Sequence, residues 1–178
     1  MYIATYIIDM AALFYLMGLL CSSTTLNIHR KKPFLAAVIL TIIIILSEAG
    51  TILTNNWNLN LRSINILCNV IGFTFTPMIP IAIVLIFDRT ILKSHKFLLV
   101  PTLINMVATI LSPTFRFIFY IDANNQYTRG GYFFIFVAVY IINLLMLIII
   151  TLKICNENNY PIVNKIIFLS FFTVIGTS

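Results

Sequence analysis

Six apolar runs, at about 3–22, 34–54, 64–87, 97–112, 132–152 and 165–178, take up most of the chain. Each of the first five is near the roughly 20 residues that a helix needs to cross about 30 Å of hydrocarbon, the fourth being the shortest. A water-soluble core cannot hide that much apolar surface. Only 9% of the 178 residues are charged and the mean hydropathy is +1.04, where a soluble domain carries about 25% charged residues. The fold class expected is all-α: a polytopic transmembrane helical bundle, with lipid as the solvent for most of its surface.

The net charge of +6 does not point to nucleic acid. The basic residues sit in short clusters between the apolar runs, which is the pattern of membrane orientation. Arg30, Lys31 and Lys32 lie in the first turn, Arg89, Lys93 and Lys96 in the third, and Lys153 and Lys165 in the fifth. The alternate turns carry only Arg62, Arg116 and Arg129. The positive-inside rule then makes the first group cytoplasmic and sets the N-terminus outside a cell membrane that the chain crosses several times. The first run lacks basic residues before it and is interrupted by Asp9, so it reads as a retained helix and not as a signal peptide.

The sixth run rises only about 21 Å at 1.5 Å per residue and has no polar flank after "VIGTS". A carboxylate left in lipid is costly. The sequence is therefore expected to be cut off at its C-terminus. Six spans fall in this fragment, seven are expected in the full protein, and residues 1–178 form one transmembrane region that ends before any cytoplasmic output domain.

Between the fourth and fifth runs the polarity changes. "FYIDANNQYTRGG", Phe119 to Gly131, concentrates Asp122, Asn124, Asn125, Gln126, Thr128 and Arg129. Its turn-forming centre predicts a short β-hairpin on the outer rim, with Arg116, Tyr120, Asn125 and Tyr127 facing water or headgroups. Gly130 and Gly131 are expected to permit the sharp return into the next helix. Trp57 reads as an interfacial anchor in the other outer connection.

Within the runs, Asp9 and Glu48 are acids at outer-leaflet depth with no basic partner on their own helix. Asp9 can snorkel to the surface. Glu48 lies deeper and stays open between a hydrogen-bonded packing residue and a functional one, with Arg116 or Arg129 able to reach it. Asn65 and Asn69 share a helical face, and Asn105 and Asn143 lie near mid-depth. Interhelical hydrogen bonding is the first reading of these asparagines and a polar ligand pocket the sharper one. Pro77 and Pro80, in "TPMIP", predict a bend or local unwinding, read first as shaping and second as a hinge. Cys21, Cys68 and Cys155 read as apolar fillers. His29 and His95 sit beside basic residues, so neither a metal nor a cofactor is expected.

No HExxH, GxSxG, phosphate-gripping glycine loop or GGDEF segment occurs. None of the five acids pairs at a spacing suited to general acid and base work, and the chain itself offers no catalytic residues.

The order of features resembles the amino-terminal multispanning sensor region of bacterial GGDEF-type diguanylate cyclases, in particular those of AT-rich anaerobic Gram-positive bacteria. The shared features are a basic first inner loop ("HRKKP"), an acid in the second helix (Glu48), a proline-bearing third helix ("NVIGFTFTPMIP") and an outer segment of the form FYID.NN.Y.RG from Phe119 to Gly130. Membrane histidine kinases with seven-helix input regions look broadly alike. The resemblance implies a sensory input module, an output domain outside this sequence that makes cyclic di-GMP or phosphorylates a partner, and a homodimer. It carries over no catalytic residue. The residues read as contacting a small polar ligand at the outer face are Glu48, Asn69, Arg116, Tyr127 and Arg129. The rival reading is a small transporter or permease, for which Asn69, Asn105 and Asn143 would line an aqueous path.

Overall fold

The computed structural model describes residues 2–24, 28–55, 61–87 and 96–157. Within them run α1 (Tyr2–Ser22), α2 (Ile28–Thr54), α3 (Arg62–Phe75), α4 (Met78–Phe87), a 3₁₀ turn (Lys96–Leu99), α5 (Val100–Phe115), β1 (Phe119–Ile121), β2 (Tyr127–Arg129) and α6 (Phe133–Glu157). The protein is a helical bundle with one small antiparallel hairpin. Three helices are long and apolar enough to cross a membrane, within Ala4–Ser22, Lys31–Thr54 and Phe133–Ile154. The α3–α4 pair makes a fourth if it is counted as one bent span. Six spans are not reached among the described residues. At 16 residues α5 is only about 24 Å long, short of the hydrocarbon thickness. The sixth run, Trp57 and His95 lie outside the described residues.

Polarity is distributed inside out. Leu103, Ile104, Val107 and Ile110 are exposed on α5, while Thr102, Asn105, Thr109 and Ser112 on its other face are buried. The same holds for α6, where Ile141, Ile142, Leu145 and Ile149 are exposed and Asn143 is buried. Apolar surface left open to water opposes folding at about 25 cal/mol per Å². An inverted arrangement of this kind is stable where the surroundings are themselves apolar. A membrane location follows from the exposed surface as well as from helix length.

The helices pack through small residues, as lipid-embedded helices do in order to bring backbones close. A Cβ on Gly50 of α2 would lie 2.6 Å from the Cys68 Sγ of α3, and one on Gly72 of α3 would lie 3.3 Å from the Ser47 Oγ of α2. Gly50→Leu is therefore expected to force α2 and α3 apart and cost about 1–3 kcal/mol. Gly18→Leu on α1, where an added Cβ meets nothing within 4 Å, is expected to be near neutral. Thermal unfolding in detergent micelles compares the two.

Basic side chains mark both ends. Lys31 Nζ donates to Cys21 O at 2.7 Å, placing a cation on the C-terminus of α1, where the helix dipole favours it. Lys32, Lys96 and Lys153 belong to the same end by chain order. At the other end Arg62 donates from its guanidinium to Ile121 O of the hairpin at 3.0 Å, and Arg116 and Arg129 flank the hairpin directly. Lys31 and the hairpin arginines therefore lie at opposite ends of α2, whose C-terminal Thr54 meets the hairpin; Arg89, Lys93 and Lys165 lie outside the described residues.

The proline-bearing run breaks between Phe75 and Met78 with a bend of 43°. Pro77 has no N–H to give Phe73 O, and Pro80 has none for Thr76 O. The second loss is covered locally by a tight bond from Ile79 N to Thr76 O at 3.2 Å. The first is covered from elsewhere in the bundle.

Candidate functional site

The site is built around the hairpin and the helix break beneath it. Phe119 pairs with Arg129, Tyr120 with Thr128 and Ile121 with Tyr127. Asn125 N donates to Asp122 O at 3.2 Å and Asp122 N to Gln126 O at 2.9 Å, and Asn125 is left-handed, with φ 60°. This is a three-residue loop whose last position is αL, one of the few conformations that asparagine tolerates without a glycine. Asp122 Oδ1 accepts from Asn124 N and Gln126 N, each at 2.8 Å, so its carboxylate organises the loop.

The left-handed turn sends the Asn125 side chain inward, and the residue is fully buried. This corrects the expectation that Asn125 faces water or headgroups. Its Nδ2 donates to Thr54 O at the end of α2 at 2.7 Å. Its O and Oδ1 accept from Asn65 Nδ2 of α3 at 3.2 and 3.1 Å. Asn69 Nδ2 donates onward to Asn65 O and Oδ1, both at 2.9 Å. Asn55 Oδ1 accepts from Tyr127 N at 3.2 Å. The hairpin tip thus staples the end of α2 to the start of α3. Sequence reading placed Asn69 and Tyr127 here and missed Asn55 and the inward role of Asn125. An asparagine at the αL position of a turn is the signal that could have found the latter.

Gly130 is needed at its position and Gly131 is not. A Cβ on Gly130 would collide with the backbone carbonyls of Phe117 and Arg116, whereas one on Gly131 meets nothing within 4 Å. No described glycine has positive φ, so close backbone approach sets the requirement, in place of the conformational freedom expected for the pair. The residue that does adopt αL beside it is Arg116, with φ 57°, closing α5 through Arg116 N to Ser112 O at 2.7 Å. A non-glycine residue there costs roughly 1 kcal/mol.

Arg116 and Arg129 do not reach Glu48. The Arg116 guanidinium lies 5.0 Å from the centroid of the Tyr120 ring and that of Arg129 lies 4.9 Å from the Phe133 ring. Glu48 and Asp9 are exposed on α2 and α1, away from the asparagine network. Burial raises the Tyr127 phenol above its ordinary pKa, and the charge and hydrogen bond of Arg129 oppose that rise.

Phe73 joins the hairpin to the break. Its ring stacks on Phe119 at 5.5 Å and Tyr127 at 5.9 Å, one residue from each strand, and meets the Phe136 ring edge-on at 4.9 Å. Its carbonyl, freed by Pro77, accepts from Asn105 Nδ2 of α5 at 2.8 Å. One turn further along, Pro77 O accepts from Asn143 Nδ2 of α6 at 2.8 Å. Asn143 Nδ2 also donates to Thr102 Oγ1 at 2.9 Å. The mid-depth asparagines therefore serve first as backbone donors to a broken helix, the interhelical role expected of them.

No group of three or more His, Cys, Asp or Glu able to hold a metal occurs among the described residues. No family model, curated protein or solved structure matches the chain.

Proposed function

We propose that this region is a membrane-embedded sensory input module of a bacterial signalling protein, with the hairpin as its receiving surface. The observation that carries this reading is the double engagement of Phe73. A small polar molecule held by Arg116, Tyr127 or Arg129 shifts the strands on which the Phe73 ring stacks. The same residue's carbonyl is held at the break by Asn105, so the shift passes to α4 and α5. A ligand drives such a change only by binding the two packings unequally.

The finer parts of the reading belong to the same proposal. The bundle has six spans in this region and seven in the full protein, its N-terminus is outside, and it works as a homodimer. Its output is a cytoplasmic diguanylate cyclase or histidine kinase domain. Glu48, on the exposed face of α2, then meets a neighbouring helix and not the ligand. The transporter reading draws less support, because Asn105 and Asn143 donate to backbone carbonyls and the apolar hairpin residues Ile118 and Phe119 are fully buried above them.

Orientation is checked with an impermeant maleimide on intact cells. Asn124→Cys, at the exposed hairpin tip, is expected to react, and Lys31→Cys to react only after permeabilisation. The opposite pattern overturns the assignment. Function is checked in the full-length protein in its own cells. Phe73→Leu keeps the backbone carbonyl bond but loses the ring stack, and Arg129→Ala removes the rim cation. Both are expected to abolish stimulus-dependent changes in cyclic di-GMP or in kinase phosphorylation. Unchanged responses in both variants, or solute flux in proteoliposomes above that of empty vesicles, would sink the sensory reading.

A further inference from the structure

Two apolar clusters enclose a polar level of the bundle. Toward the hairpin, Ile118, Phe119 and Ile121 pack with Phe73, Ala108 and Phe136; toward the other end, Ile81, Val84, Met146 and Leu147 pack with Leu99. Along the α3–α4 run, α5 and α6, part of the polar set falls between members of the two clusters. Thr74 and Pro77 lie between Phe73 and Ile81. Thr102 and Asn105 lie between Leu99 and Ala108. Asn143 lies between Phe136 and Met146.

Within that level both amide nitrogens are engaged and both amide oxygens are not. Asn105 Oδ1, Asn143 Oδ1 and Thr74 Oγ1 are buried and find no hydrogen-bond partner among the described residues, and Thr109 Oγ1, one turn toward the hairpin, is in the same position. Asn105, Asn143 and Thr109 are fully buried and Thr74 is 5% exposed. The two amide nitrogens are fixed on Phe73 O and Pro77 O, carbonyls four residues apart on one chain. Their oxygens are therefore held around a single turn of the broken helix. An orphaned buried oxygen costs about 1–3 kcal/mol, so three of them gathered at one helix break call for a partner.

We propose that this enclosed level binds ordered water at the helix break. The two orphaned amide oxygens can only accept hydrogen bonds, whereas the threonine hydroxyls can accept or donate, so the guest must donate to the amides. No carboxylate among the described residues lies on the faces that form this level, which disfavours a divalent cation. Water donates twice and suits a polar cavity with two to four partners. The apolar clusters make it a sealed guest and not part of a path. Its place is mechanical: water exchanges hydrogen bonds among carbonyl, amide and hydroxyl oxygens at little net cost, so the bend at Pro77 can change angle without orphaning a backbone group. This holds whether or not the sensory reading does.

The test is water-edited solid-state NMR of the protein in lipid bilayers. The side-chain amides of Asn105 and Asn143 are expected to receive magnetisation from water far faster than the lipid-facing methyls of Leu103 and Leu145. Thr109→Val and Thr74→Val keep the side-chain shape and remove one hydroxyl each, and are expected to slow transfer to Asn105. Transfer as slow as at the lipid-facing methyls would overturn the proposal. So would chemical shifts at Asn105 and Asn143 that change when sodium is replaced by potassium or choline, since that assigns the level to a monovalent cation. Valine variants that are more stable with unchanged transfer would likewise show the hydroxyls to be dry.

Discussion

Asn125→Ala is expected to lower stability by about 3–5 kcal/mol, a large share of the total for a domain of this size. Three losses combine. Alanine at a left-handed position costs roughly 1 kcal/mol more than asparagine or glycine. Thr54 O loses its donor at the end of α2, and Asn65 Nδ2 loses the side-chain acceptor it shares with the backbone of residue 125. Each buried group left unpaired adds about 1–3 kcal/mol. Single interhelical hydrogen bonds in membranes average only about 0.6 kcal/mol, so a small measured effect would mean that the network acts as separate bonds. Asn125→Gly separates the contributions, because it relieves the backbone and removes only the side chain. It is expected to cost about 1 kcal/mol less than alanine. Reversible unfolding of both variants in detergent micelles gives the comparison, and a glycine variant as unstable as the alanine one would refute the backbone part of the argument.

Gly130→Ala is the second large expected effect, about 3 kcal/mol, against a change within about 0.5 kcal/mol for Gly131→Ala. The atoms that a methyl group at residue 130 would meet are the carbonyl oxygens of Phe117 and Arg116. These belong to backbone fixed by the left-handed turn at Arg116 and by the bonds from Gly130 N to Ile118 O and Tyr132 N to Phe117 O, both 2.8 Å. Neither oxygen can swing aside as a flexible side chain would. Relief requires the hairpin to lift from α5, which also breaks the stack on Phe73. Limited proteolysis within 119–131 is expected to accelerate in the Gly130 variant and to stay unchanged in the Gly131 variant. Equal rates would show that the contact is not limiting.

Much of the architecture could be read from the apolar runs. The runs at 3–22, 34–54 and 132–152 became α1, α2 and α6, the proline pair in 64–87 became a break, and the polar stretch became a hairpin. The rest was hidden for identifiable reasons. Polarity implies solvent exposure only where the solvent is water. In a bundle surrounded by lipid the inference reverses for the mid-depth residues, whereas Asn125, between the exposed Asn124 and Gln126, was misplaced because its left-handed backbone turns it inward. The donors to Phe73 O and Pro77 O come from 32 and 66 residues away in sequence, a separation that no local pattern reports. Of the five ligand-contact residues read from the sequence, Asn69, Arg116, Tyr127 and Arg129 gather at the hairpin end. Glu48 does not join them, because its helical position turns it away from the face of α2 that meets α3.

The broken third helix also bears on how the chain is made. When residues 62–87 leave the ribosome, the Phe73 and Pro77 carbonyls at the break lack the Asn105 and Asn143 side chains that donate to them in the fold, because those have not yet been synthesised. This segment is expected to linger beside the insertion machinery until the following helices emerge. Chains arrested before residue 105 should therefore crosslink to the translocon, and chains extended past residue 157 should release from it.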